Sequence, residues 1–196
     1  MSIVTLVSGG LDSTLMAVLA QEEGLEQHPL FVDYGQLNKD RELDACQANF
    51  GRLGLPAPTI ISLGGYGALL SSGLTDPARD VFMDAFLPCR NMLFLTAGAA
   101  YAYQCRSSAV AIGLLDEAAS LFPDQTQEFL SQAEGVLSTA LGVPMRLVAP
   151  LMSFSKADVV RAARTKGIEH TYSCHAGTKA PCGGCVACRE YEGLEG

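Results

Sequence analysis

The chain has 196 residues, 48% of them hydrophobic and 17% charged, with a net charge of −8. That composition excludes a disordered chain, and no apolar run reaches the about 18 residues that a membrane span needs. Clustered Lys and Arg, the footprint of a nonspecific nucleic-acid surface, are missing, so a cytoplasmic enzyme acting on a small molecule is the expectation.

The chain opens on an apolar run, residues 3–7, that reads as a buried parallel strand with no signal or transit peptide before it. Ser8-Gly9-Gly10-Leu11-Asp12-Ser13-Thr14 follows and leads into a helix over residues 14–20. Glycines between a strand and a helix leave backbone N–H groups pointing outward at the positive end of the helix dipole, which makes an anion site. Ser8, Ser13 and Thr14 add hydroxyls, and the plainer alternative is a tight turn capped by Asp12 or Ser13. Residues 28–33 read as a second strand, 39–54 as a helix and 58–63 as a third strand. Residues 64–88, rich in Gly, Ser, Asp and Pro, read as a long surface loop of the kind that borders sites. An alanine-rich helix is predicted over 91–106, a strand over 109–113, a helix opened by Pro123 and running to 141, and a strand over 145–149. Ser155 caps a helix to Lys166, with Asp158 completing a capping box. Repeated βα units predict a Rossmann-like α/β fold, a parallel sheet with helices on both faces and ligands at the carboxyl ends of strands, where Ser8, Asp33 and Gly113 fall. The expected organisation is an α/β domain over residues 1–170 and an appendage over 171–196.

The appendage holds Cys174, Cys182, Cys185 and Cys188, a C-x7-C-x2-C-x2-C pattern. A two-residue spacer lets two sulfurs face one ion, and four thiolates suit a tetrahedral structural Zn²⁺ with no open position for chemistry. An iron–sulfur cluster is the competing reading, and His170 or His175 replacing one sulfur is a variant of the zinc site. Disulfides fit poorly with an odd count of seven cysteines and no sign of secretion. Cys46 and Cys105 read as small core residues. Cys89, beside Arg90, is the one candidate for an activated thiol.

There is neither a G-x-x-x-x-G-K-[ST] loop nor a G-x-G-x-x-G fingerprint. Ser-Gly-Gly-Leu-Asp-Ser instead resembles the PP-loop of ATP pyrophosphatases, which cut ATP between its α- and β-phosphates to adenylate a substrate oxygen. With Asp33-Tyr34-Gly35-Gln36, Pro88-Cys89-Arg90-Asn91, Phe122-Pro123-Asp124, Glu128-Phe129, Ser155-Lys156, Tyr172-Ser173-Cys174 and Cys182-Gly183-Gly184-Cys185-x2-Cys188-Arg189, the chain resembles the 7-cyano-7-deazaguanine synthase (QueC) family along most of its length.

The resemblance implies a ligase that turns 7-carboxy-7-deazaguanine, ammonia and ATP into the 7-nitrile by way of an acyl adenylate, for queuosine biosynthesis. It implies ATP on Ser8, Gly9, Gly10, Leu11, Asp12, Ser13 and Thr14, with Asp33 or Tyr34 beside the adenosine. Asp12 becomes the candidate for Mg²⁺, and Arg90 and Lys156 the cations for phosphate or substrate carboxylate. Arg90, Asn91 and Asp124 become the candidate substrate contacts, and the four cysteines the Zn²⁺ ligands. Two departures bear on the acid: Leu37-Asn38 stands where the family carries Arg-His, and Gln125-Thr126 where it carries Cys-Arg. Alternatives are a QueC-like enzyme that adenylates another acid or joins a deazaguanine to a protein, and a zinc-stabilised module that binds nucleotide without turnover. The expected partners are a small acid and ammonia, with no membrane and no nucleic-acid surface. The helix from Asn91 is a candidate homodimer face.

Overall fold

A computed structural model describes residues 1–194 of the chain. Five parallel strands, β1 (Ser2–Val7), β2 (Glu26–Asp33), β3 (Thr59–Ser62), β4 (Ala109–Ala111) and β5 (Arg146–Val148), form one sheet in the order β3-β2-β1-β4-β5. The helices are α1 (Leu11–Glu22), α2 (Lys39–Leu53), α3 (Gly64–Leu69), α4 (Arg90–Gln104), α5 (Gln127–Leu141), α6 (Lys156–Thr165) and α7 (Val186–Arg189). This is the doubly wound order, and the chain reverses direction across the sheet between β1 and β4.

Alternate strand residues build two cores, as a period of two requires. Ile3, Val7 and Phe31 pack with Leu15 of α1, Phe50 of α2 and Val159 of α6. Val4, Leu6, Leu30, Val32 and Val110 pack on the opposite face with Leu95 and Ala99 of α4 and Leu130 and Leu137 of α5. Gly98 lets α4 lie close to the sheet, since a Cβ there would stand 2.9 Å from Val110 Cγ1. Two alanines of this helix, Ala99 and Ala102, are buried against the strands, while Ala100 is exposed.

Two sequence expectations change. Residues 64–88 are not a bare surface loop: they contain α3, and Leu74, Val81, Ala85 and Leu87 are buried in a third cluster with Tyr34, Cys174, Cys185 and Ala187. These apolar residues lack periodicity because they pack on the cysteine segment rather than on a sheet. The helix expected from Pro123 is broken: a 3-10 turn, Pro123–Gln125, precedes α5, whose N-cap Thr126 accepts from Phe129 N at 3.1 Å. The capping box at α6 is present, with Ser155 N donating to Asp158 Oδ2 at 2.9 Å. Of the appendage expected over 171–196, the last two residues lie outside the described part of the chain.

Candidate active site

The segment between β1 and α1 sits at the point where the sheet reverses, and a cleft opens there. Gly9 adopts φ +80° against α2, and a Cβ would meet the Glu42 carbonyl oxygen at 2.1 Å, so glycine is required. Gly10 is the N-cap of α1 and brings no side-chain cap, which leaves the first amides of the helix for a ligand. Ser13 Oγ accepts from Ser8 N at 3.1 Å and donates to the Gly10 carbonyl at 3.2 Å, fixing the loop's curvature. Across the cleft mouth, a Cβ at Gly113 would crowd Ser13 N at 3.3 Å, so this glycine keeps the helix end open.

Ser8, Gly10, Asp12, Ser13, Tyr34, Arg90, Asn91 and Lys156 all line the cleft, together with the apolar Leu30, Val32, Phe94 and Ile112. The other sequence-derived residues stand around it. Gly9 carries the turn, Leu11 is buried in the α1 core, and Thr14 is fully buried with its hydroxyl on the Gly10 carbonyl at 2.8 Å. Asp33 accepts from Gly35 N at 3.0 Å and Ser62 Oγ at 3.2 Å, and its carboxylate lies 3.7 Å from Lys39 Nζ. Asp124 accepts from Asn91 N at 3.2 Å, while Asn91 Nδ2 donates to the Asp124 carbonyl at 2.8 Å. That pair anchors the start of α4, the turn that carries Arg90.

Lys156 is the most constrained cation of the site. Its Nζ donates to both Asp12 oxygens at 2.9 Å, lies 2.9 Å from Glu190 and sits 4.6 Å from the Tyr191 ring centroid. Burial works against its charge, but Asp12, Tyr191 and Glu190 outweigh it and hold the pKa above the ordinary lysine value. Tyr34 is pushed up to about 12 by burial, with Arg90 opposing, so its hydroxyl is neutral near pH 7.

The four cysteine sulfurs of the C-terminal segment lie within 4.8 Å of one another. Zn–S bonds of about 2.3 Å give tetrahedron edges of about 3.8 Å, and Cys182 and Cys188 sulfurs are 3.9 Å apart. Cys182 N donates to Cys174 Sγ at 3.3 Å and Cys185 N to Cys182 Sγ at 3.4 Å, bonds that favour thiolates. Burial alone would raise Cys174, yet the Cys182 amide and the Thr178 hydroxyl bring it down to about 6. The donor set therefore fits a four-sulfur metal ion. His170 is exposed at the surface, and His175 is among the residues that line the cleft, with its Nδ1 buried. The segment is pinned to the β1–α1 turn by Tyr172 N donating to the Gly9 carbonyl at 3.0 Å. Cys46 is buried in the first core, Cys105 caps the end of α4, and Cys89 caps its start in a left-handed conformation (φ 57°).

Sequence reasoning passed over Glu42 and Glu190 and read His175 only as a possible metal ligand; all three are on the cleft wall. Glu42 had a signal, being a carboxylate on the helix that follows a strand ending at the crevice. His175 and Glu190 had none, since only the folded cysteine segment carries them there.

Residues 2–194 match the model of a family described as queuosine biosynthesis protein QueC. Proteins named 7-cyano-7-deazaguanine synthase are similar over nearly the whole chain. The one from Sulfurovum sp. (strain NBC37-1) is 32% identical, with 95% of this chain and 89% of that protein covered. The one from Methanosphaerula palustris is 31% identical, with 96% and 91% covered. Among solved structures, a 4-thiouridine synthetase–RNA complex with bound ATP superposes with TM-score 0.55 at 19% identity, covering 99% of this chain and 49% of that one. NMN synthetase from Francisella tularensis gives TM-score 0.53 at 19% identity, covering 91% and 68%. At such identities the structural likeness speaks for the fold alone.

Proposed function

Because the chain belongs to the QueC family, we propose that it is an ATP-dependent carbon–nitrogen ligase of the cytoplasm, converting 7-carboxy-7-deazaguanine and ammonia to 7-cyano-7-deazaguanine. The observation that carries this reading is the Ser8–Ser13 turn, open at the reversal of the sheet and faced by Lys156 and Arg90. Amides of the first turn of α1 receive the pyrophosphate half of ATP, with negative charge met by the helix dipole. The apolar slot between β1, β2 and β4 takes the adenosine, with Tyr34 in its lining and Asp33 next to it in sequence. Arg90, in the first turn of α4 that the Asn91–Asp124 pair anchors, presents a planar fork to the substrate carboxylate.

A carboxylate is a poor electrophile. Its attack on the α-phosphorus expels pyrophosphate and gives an acyl adenylate, from which ammonia displaces AMP. A second activation, of the amide oxygen, permits dehydration to the nitrile. Lys156 neutralises phosphate charge, and to do so it shares or leaves Asp12. Asp12 would hold Mg²⁺, which supplies charge neutralisation of the phosphates, and the four cysteines would hold a Zn²⁺ that supplies structure only. Residues 1–170 carry the nucleotide chemistry in this reading and residues 171–196 the metal appendage.

One observation favours a second reading, a related enzyme that adenylates another acid or joins a deazaguanine to a protein. Leu37 and Thr126 stand where the family carries arginines and Asn38 where it carries histidine; Asn38 is buried on Glu42 and the Cys174 carbonyl and Thr126 accepts from Phe129 N, so none of the three brings the cation that the family places there. The test is incubation of purified protein with ATP, Mg²⁺, ammonium and 7-carboxy-7-deazaguanine, with products read by mass spectrometry. Nitrile with AMP and pyrophosphate is expected. Adenylate or amide alone supports the second reading, and ATP bound but unconsumed defeats both.

A further inference from the structure

The wall of the cleft where α2 meets the cysteine segment holds two groups with no task in the reading above. Glu42 lies in the first turn of α2 and lines the cleft. Gln36 Nε2 donates to its Oε2 at 3.1 Å and Asn38 Nδ2 to its Oε1 at 2.9 Å. Each oxygen keeps a further lone pair. The second group is His175, whose Nδ1 is buried without a hydrogen-bond partner. Its backbone amide bonds the Cys185 sulfur, so the cysteine cluster fixes where the ring stands. Asn38 joins the two, because the same Nδ2 also donates to the Cys174 carbonyl at 3.1 Å.

A carboxylate with spare lone pairs repels phosphate and attracts N–H donors, and His175 Nδ1 accepts as well when the ring carries its proton on Nε2. Arg90 acts electrostatically on both, which disfavours a second fixed cation between them. A small neutral N–H donor satisfies every condition. We infer that Glu42 and His175 form the ammonia site, and that Glu42 takes the proton released when the nitrogen bonds to the acyl carbon. The inference rests on the proposed reaction for the identity of the acyl group.

In the step, the ammonia lone pair forms the C–N bond while the bond from acyl carbon to the AMP oxygen breaks. AMP leaves with that electron pair, one N–H proton passes to the Glu42 carboxylate, and the neutral amide remains. Burial raises Glu42 to about 7, against Gln36, Arg90 and Asn38, so it holds and releases a proton near neutrality. Tyr34 and Cys46 face it too, and both are pushed up to about 12 by burial, so Glu42 is the proton acceptor of this wall.

Two variants test the site, Glu42→Gln, which keeps an acceptor oxygen for its amide donors, and His175→Phe, which keeps the ring's bulk. With 7-carboxy-7-deazaguanine, the ratio of amide formed to adenylate formed is expected to fall about 100-fold in Glu42→Gln. The KM for ammonium is expected to rise about tenfold in His175→Phe, the equivalent of one lost hydrogen bond. An unchanged ratio and KM would overturn the inference, as would equal loss of adenylate and amide. Exchange broadening of ¹⁵N-ammonium, measured without any acid, separates this inference from the reading beneath it. Broadening by the wild type that both variants lose supports the site even if no nitrile is made, and equal broadening in all three proteins sinks it.

Discussion

Gly9 shows how narrowly one residue is specified. Its φ of +80° and the 2.1 Å approach of a would-be Cβ to the Glu42 carbonyl leave no room for a side chain. Gly9→Ala is expected to cost about 1–3 kcal/mol of stability, read by thermal unfolding, and to weaken ATP binding at least tenfold by calorimetry. Glu42 shows the opposite relation, in which function opposes stability. Its carboxyl ionises near 4.5 when free and near 7 in the fold. The folded chain therefore holds the proton more tightly, and stability is lost as pH rises from 4.5 through 7. Glu42→Gln is expected to match the wild type at pH 4 and to exceed it by about 1–3 kcal/mol at pH 8, measured by denaturant unfolding at both pH values. Gly9 was legible in the sequence, because a glycine between a strand and a helix has few other uses. Glu42 was legible only as a carboxylate on the helix after a strand that ends at the crevice; the pair of amide donors from Gln36 and Asn38 that singles it out is a feature of the folded turn.

At the scale of elements, periodicity reported whatever packs on the sheet and little else. The strands and α1, α2, α4 and α6 stand within a few residues of their sequence boundaries, since each has a regular face to bury. Residues 64–88 have no such face; their apolar residues meet the cysteine segment, and α3 was invisible for that reason. At Pro123 the competing signal was Thr126, a better N-cap than the proline was a helix start. Thr126→Ala is expected to cost about 1 kcal/mol, visible as lower helix protection in hydrogen exchange. The cysteine cluster was readable from spacing alone. Cys185 is fully buried in the third cluster, and Cys185→Ser is expected to abolish metal binding and expose residues 172–190 to protease while the sheet survives. Elemental analysis of the wild type is expected to return one zinc per chain and no iron.

For the whole molecule, the net charge bears on which partners it meets. A synthetase solved with RNA shares the fold, yet this chain carries a net charge of −8. Filter binding is expected to show no tRNA retention at physiological salt, because no phosphate-tracking stripe offsets that repulsion. The α/β class followed from repeated βα units, but the strand order did not. That order depends on the connection from β3 to β4, which carries the chain over the sheet to the far edge of β1, and no local signal encodes the crossing.

The hydrogen bond from Tyr172 to Gly9, with those of Asn38 to Cys174 and of Lys156 to Asp12, ties the ends of the chain into one mechanical unit. An oxidant or chelator that attacks the sulfurs would slacken the grip on triphosphate without ever meeting it. Trace-metal supply would thus govern catalysis from a distance, as a keystone governs an arch whose other stones it scarcely touches.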